Sequence, residues 1–238
     1  MFENSMYHRT SLVIGDYGIE KLKKAHVWIF GVGGVGGYAA EALVRAGVGT
    51  ITVVDNDTVN ITNLNRQIIA LHSTIGMSKV DAFKARAKDI NPEVCINCIN
   101  KFYLPDNSDE FDFSKANYVI DAIDTVSGKI EIIKKANEWN VPVISSMGTG
   151  NKLTNTEFHI TDIYKTDTDP LAKVMRRELK KHGIKKLTVV YSNAKPKKIQ
   201  PEGDNRPVTA SVPWVPPVGG LIIAGKVVND ILEDDINV

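Results

Sequence analysis

The stretch His26-Val-Trp-Ile-Phe30, followed at once by Gly31-Val-Gly33-Gly34-Val-Gly36-Gly37, decides the fold. A short β-type run leads into a glycine cluster. Tyr38 to Ala46 then has the small and apolar residues of a buried helix, closed by Gly47 as a C-cap. Thr50-Ile-Thr-Val-Val54 reads as a second strand ending at Asp55. Strand, glycine turn, helix and strand in that order make a right-handed βαβ unit. In Gly31-X-Gly33-X-X-Gly36 the first glycine allows the tight turn, the second lets backbone approach a phosphate, and the third lets helix and strand pack closely. The helix then points its positive end at the phosphate. The expectation is a nucleotide site, with Gly34 in the same loop.

Outward from this unit, strands and helices keep alternating. Val80, Phe83, Ala87 and Ile90 recur at helical spacing over 79–90, and Asn91-Pro92 stops that helix. Strands are expected at 94–99, 118–120 and 141–144, with a helix over 129–139. This pattern means a doubly wound, mostly parallel α/β sheet with ligands at the C-terminal ends of its strands. After Gly150 the pattern changes to an α+β extension: strands at 158–160 and 187–191 flank a basic helix over 171–182. A Pro/Gly-rich stretch, 196–220, is expected to be partly mobile in its first half, and a last helix, 221–232, to pack on the core. The division is therefore 1–150 for the nucleotide-binding domain and 151–238 for the extension.

Asp55 ends the second strand, where an acid accepts hydrogen bonds from ribose hydroxyls. NAD and ATP share that ribose. Arg66 and Lys79, close behind in sequence, add two cations, which suit a triphosphate better than a dinucleotide. Asp124 ends the next strand and is placed to hold Mg2+ on the phosphates, or else to cap the following helix.

The chain has 238 residues, 43% hydrophobic and 24% charged, with a net charge of +1. It lacks a run of about eighteen apolar residues and an N-terminal targeting pattern, which places it in the cytoplasm and off the membrane. Its two cysteines build no disulfide framework. Cys95 and Cys98 sit in an expected strand, where positions three apart face opposite ways, and two ligands are half of what zinc needs. No zinc site is expected. The near-neutral average hides a local field: residues 173–198 contain ten basic residues and one acid. Such a block is either a solvated face or the footprint of a polyanion, with Lys173, Arg176, Arg177, Lys180, Lys181, Lys185 and Lys186 as candidate contacts.

Gly31-Val-Gly-Gly-Val-Gly36, Asp55-Asn-Asp57-Thr-Val59, Asn63-Leu-Asn-Arg66-Gln67, Lys79 and Asp121-Ala-Ile-Asp124 together resemble the ATP-binding domain of the ubiquitin-activating-type adenylating enzymes. Within that superfamily the chain is most similar to the tRNA threonylcarbamoyladenosine dehydratase branch. Lys129, Thr161-Asp162, Asp169-Pro-Leu-Ala172, Arg176-Arg-Glu-Leu179 and Val190-Tyr-Ser192 extend that likeness over nearly the whole chain.

The resemblance implies ATP and Mg2+ as cofactors. It implies Asp55 on the adenosine ribose, Arg66 and Lys79 on the phosphates and Asp124 at the magnesium, with Asp57, Asn63 and Gln67 shaping the same pocket. Arg9 matches an arginine that reaches the γ-phosphate across a homodimer interface, although Thr10 follows it where glutamine is usual. The implied reaction is ATP-dependent cyclisation of threonylcarbamoyladenosine in tRNA through an acyl-adenylate; a sulfur-trafficking protein is a partner of some relatives. The alternative in the same superfamily is adenylation of a sulfur-carrier or ubiquitin-like protein, which commonly uses a later cysteine; this chain has none after Cys98. A non-catalytic nucleotide-binding module is the remaining alternative and leaves Arg66, Lys79 and Asp124 without a task.

Overall fold

The computed structural model describes residues 2–199 and 209–233. Among these residues six α-helices, α1 (His8–Lys24), α2 (Gly36–Ala46), α3 (Lys79–Ile90), α4 (Val126–Glu138), α5 (Pro170–Lys181) and α6 (Val215–Glu233), surround seven strands. These are β1 (His26–Phe30), β2 (Thr50–Val54), β3 (Cys95–Ile99), β4 (Tyr118–Asp121), β5 (Val143–Ser146), β6 (Phe158–Asp162) and β7 (Thr188–Ser192). They form one sheet in the order β3-β2-β1-β4-β5-β7-β6, parallel except for β6 at the edge. The α/β, doubly wound sheet is as the sequence implies, and β6 and β7 extend it beyond residue 150.

Both faces of the sheet are covered, and β1 shows how. Val27 and Ile29 join an aliphatic core with Leu43, Val44, Phe83, Ile223 and Val227 under α2, α3 and α6. Trp28 and Phe30 point the other way into an aromatic cluster with Tyr103, Phe111 and Phe113. Period-two alternation places successive side chains on opposite faces, so a strand apolar at every position must be buried on both. The strand order reverses between β1 and β4, which opens a crevice at their C-terminal ends.

Several boundaries differ from the sequence expectation. β5 starts at Val143, not Val141, because Pro142 has no N–H to donate and the register with β4 begins at Val119 opposite Val143. α4 begins a turn before the expected Lys129. α6 begins at Val215, so the end of the Pro/Gly-rich stretch is helical. Pro216 and Pro217 fall in its first turn, where an N–H has no intrahelical acceptor in any case. Residues 200–208 of that stretch lie outside the described residues. α1 is not foreseen by the pattern, since Gly15 breaks it with φ 75° and Leu12 and Val13 lie outward. By length and composition α6 matches a membrane span, yet Ile223, Ala224, Val227 and Ile231 are buried in the core.

Candidate active site

The crevice holds a pocket of about 700 Å³, a size that takes a nucleotide and more. The glycine turn forms one wall. Gly31 has φ +89°, and a Cβ there would lie 2.8 Å from Ala122 O. A Cβ on Gly36 would lie 1.8 Å from Gly31 O, so α2 rises from the turn closer than any side chain permits. At Gly33 a Cβ would meet nothing nearer than Gln67 Nε2 at 3.9 Å, so that backbone faces open pocket.

Asp55 braces this turn from the end of β2. Its Oδ2 accepts from Val32 N at 2.7 Å and its Oδ1 from Asp57 N at 2.9 Å. Burial pushes its carboxyl above the ordinary carboxylate range, opposed by the Lys79 ammonium and by these two N–H groups. Lys79 is buried at the start of α3, where Ser78 caps the helix by accepting from Asp81 N. Its Nζ donates to Asp57 Oδ2 at 2.6 Å and lies 4.0 Å from Asp55 Oδ1. Asn63 lines the pocket and stabilises its own loop, accepting from Asn60 N at 3.0 Å. Arg66 is half-buried; its guanidinium donates to Thr62 O and to Asn65 Oδ1, and its aliphatic stem packs beside Gly34. Gln67 is buried with Oε1 unpaired, an acceptor facing the same space.

Asp124 does not end the strand as the sequence suggests: β4 stops at Asp121, and Asp124 lies three residues on, in the loop before α4. It is exposed in the pocket wall and does not cap α4; Thr125 holds that position without a side-chain bond. An exposed carboxylate is a hard oxygen donor, and one such group completed by phosphate oxygens and water is the usual surrounding of Mg2+. The donor set therefore fits that ion. Two buried lysines brace the floor. Lys129 Nζ donates to Ile123 O at 3.0 Å and Ser146 O at 2.9 Å, tying the ends of β4 and β5 together next to Asp124. Lys152 Nζ donates to Asp169 Oδ2 at 2.8 Å and Ser192 O at 2.7 Å, while Asp169 caps α5 through Ala172 N. Sequence reasoning gave neither lysine a task. Lys129 carries a visible signal, because it shares a helical stripe with the buried Ile132, Ile133 and Ala136, and a charge there demands a partner.

The remaining candidates lie elsewhere. Arg9 is exposed on α1, outside the pocket wall. Lys173, Arg177, Lys180, Lys181, Lys185 and Lys186 are exposed on α5 and the loop after it. Arg177 and Lys181 both pair with Glu178. Arg176 is instead turned inward and donates to Thr166 O at 3.0 Å. Cys95 is exposed, whereas the Cys98 thiol donates to Val80 O at 3.3 Å, so the two sulfurs point apart.

The ThiF family matches residues 7–224. The chain is 46% identical to the tRNA threonylcarbamoyladenosine dehydratase of Bacillus subtilis, over 96% of this chain and 95% of that protein. Two crystal structures of the Escherichia coli tRNA N6-threonylcarbamoyladenosine dehydratase, each 30% identical, superpose on it over 97% of this chain and 95% of theirs. The AMP complex gives a TM-score of 0.90 and the ATP complex 0.88. The chain belongs to the ThiF family, in its tRNA threonylcarbamoyladenosine dehydratase branch.

Proposed function

We propose that the protein is an ATP-dependent, ligase-type dehydratase that cyclises threonylcarbamoyladenosine in tRNA. The observation that carries this reading is the convergence, in one crevice, of an open glycine backbone, the ribose-type acid Asp55, the cations Arg66 and Lys79, and the exposed carboxylate Asp124. A dinucleotide needs only the first two. ATP lies with its ribose on Asp55 and its phosphates along Gly33, Gly34, Arg66 and Lys79, with Asn63 and Gln67 fixing the loop beside them. Asp124 is the residue that would hold Mg2+, which supplies positive charge to the phosphate oxygens when bound.

A threonyl carboxylate oxygen attacks the α-phosphorus, forming the acyl-adenylate as the bond to the β-phosphate oxygen breaks and pyrophosphate leaves. Arg66 and Lys79 face the charge that develops there. The carbamoyl group of the same substrate then bonds to the activated acyl carbon, gives up a proton, and AMP departs. Both reacting groups belong to one molecule, so ring closure needs orientation and no protein nucleophile. Residues 1–150 carry the adenylation chemistry and 151–238 hold the RNA, chiefly through Lys173, Lys180, Lys185 and Lys186. The protein works as a homodimer: Leu12 is 75% and Val13 84% exposed on α1, one helical turn from Arg9, an apolar strip that a second copy would cover.

ATP–pyrophosphate exchange tests the reading. Exchange should require tRNA bearing threonylcarbamoyladenosine; exchange driven by a sulfur-carrier protein and indifferent to that tRNA would replace it with the carrier-activating function.

A further inference from the structure

We infer that Trp214 is a stacking platform for an unpaired RNA base next to the modified nucleotide, an inference that rests on the dehydratase reading of the same pocket. Trp214 immediately precedes α6 and is 45% exposed, a large fraction for an indole whose polar atom is already engaged. Its Nε1 donates to Leu153 O at 2.7 Å. That bond satisfies the ring's one polar atom and leaves no hydrogen-bonding demand, so the surface the indole exposes is apolar.

Its position gives that face a use. Ser211 and Pro216, on either side of Trp214 in sequence, line the pocket, as do Gly150, Asn151 and Lys152 just before Leu153. The mouth is knit from three segments. Asn151 exchanges backbone and side-chain bonds with Ala210, at 2.8 and 2.7 Å, and Asn151 O accepts from Lys197 N at 2.6 Å. Asn65 Nδ2 donates to Ser211 O at 3.0 Å, which ties the mouth to the Arg66 loop. Pro196 also lines the pocket, and Lys195, Lys197 and Lys198 around it are all exposed. A fixed, exposed aromatic ring beside several cations is how single-stranded nucleic acid is held: the ring takes a base and the cations take phosphates. An anticodon loop, whose bases are unpaired, fits this chemistry, and its negative charge complements the lysines.

Fluorescence titration with tRNA bearing threonylcarbamoyladenosine tests the inference. Of the three tryptophans, Trp28 is buried and Trp139 packs edge-on against Phe113, so Trp214 is the one an RNA reaches first. Addition of the tRNA should quench emission in the native protein and not in Trp214→Phe. Trp214→Ala should weaken tRNA binding about five- to a hundredfold. Trp214→Phe, which keeps a ring but loses the bond to Leu153, should stay close to native affinity. ATP affinity should be unchanged in both. Native tRNA affinity in Trp214→Ala, with no quenching in the parent, would overturn the stacking role while leaving the dehydratase reading intact. Failure of the native protein to bind the tRNA while it binds ATP would overturn both.

Discussion

Lys129 Nζ lies 3.0 Å from Asp121 Oδ2, with both side chains fully buried beneath the glycine-turn crevice. Ser145 Oγ donates to the same carboxylate oxygen. The pair sits where the strand order reverses, and the lysine also holds the carbonyls of Ile123 and Ser146. Removing one partner leaves the other charge in the interior. Lys129→Met should therefore cost about 3–5 kcal/mol, read as a lower urea midpoint, and adding Asp121→Asn should recover part of the loss. Unchanged stability in the single variant would mean that the pair does not brace the crevice.

The glycine turn separates steric need from ligand access. Gly36→Ala drives a methyl into Gly31 O, a backbone atom that cannot swing away, so both thermal stability and ATP binding should fall. Gly33→Ala meets only Gln67 Nε2 at 3.9 Å. Its methyl projects where phosphates would lie, so calorimetry should show lost ATP binding with little change in Tm. Full ATP affinity in Gly33→Ala would remove the phosphates from that backbone.

Asp55 supplies a pH dependence. Its carboxyl is raised, first by burial, and under the proposed function its ionised form would accept the ribose hydroxyls. ATP should thus release a proton on binding near that raised pKa, and affinity should fall as the pH drops through it. For folding the sign is opposite. A raised folded-state pKa gives stability that is complete below the unfolded value and is lost as pH rises through the folded one. Calorimetry in buffers of different ionisation enthalpy reads the proton, with Asp55→Asn as the reference because ATP titrates too. The same pH profile in both proteins would contradict the assignment.

The basic helix divides into facing and structural residues. Changing Lys173, Lys180, Lys185 and Lys186 to glutamate should weaken tRNA binding and flatten its salt dependence, by about 0.7–0.9 in slope for each phosphate no longer neutralised. Arg176→Ala removes the bonds to Thr166 and should lower Tm while leaving the salt slope alone. A changed slope in Arg176→Ala would show that its guanidinium leaves Thr166 for RNA.

The sequence is most legible where one residue type has one structural use. Gly31, Gly33 and Gly36 define the turn, and the helix over 79–90 is readable to its ends because Ser78 caps it and Pro92 follows. α1 stays hidden because its apolar residues face outward and Gly15 interrupts their phase. α6 reads short because prolines and glycines punctuate most loops, yet here Pro216 and Pro217 serve a first turn and Gly220 lets the helix approach Val35 O. Asp55 is legible from its place directly after β2, whereas Arg66 lies in a loop, Lys79 opens α3 and Asp124 stands three residues past β4, so these are read from their motif and not from strand ends. The link between Lys152 and Asp169 is not, since it joins two loops whose approach depends on β7 lying beside β5. Trp214 carries no periodic signal, and only the structure shows that its ring is tied to Leu153 O.

The dehydration itself is read by mass spectrometry of tRNA bearing threonylcarbamoyladenosine after incubation with the protein, ATP and magnesium. The modified nucleoside should lose one water while AMP and pyrophosphate appear, and Arg66→Ala or Lys79→Ala should slow the loss about 10²–10³-fold. An unaltered nucleoside mass, under conditions where the protein binds both ATP and the tRNA, would contradict the dehydratase function.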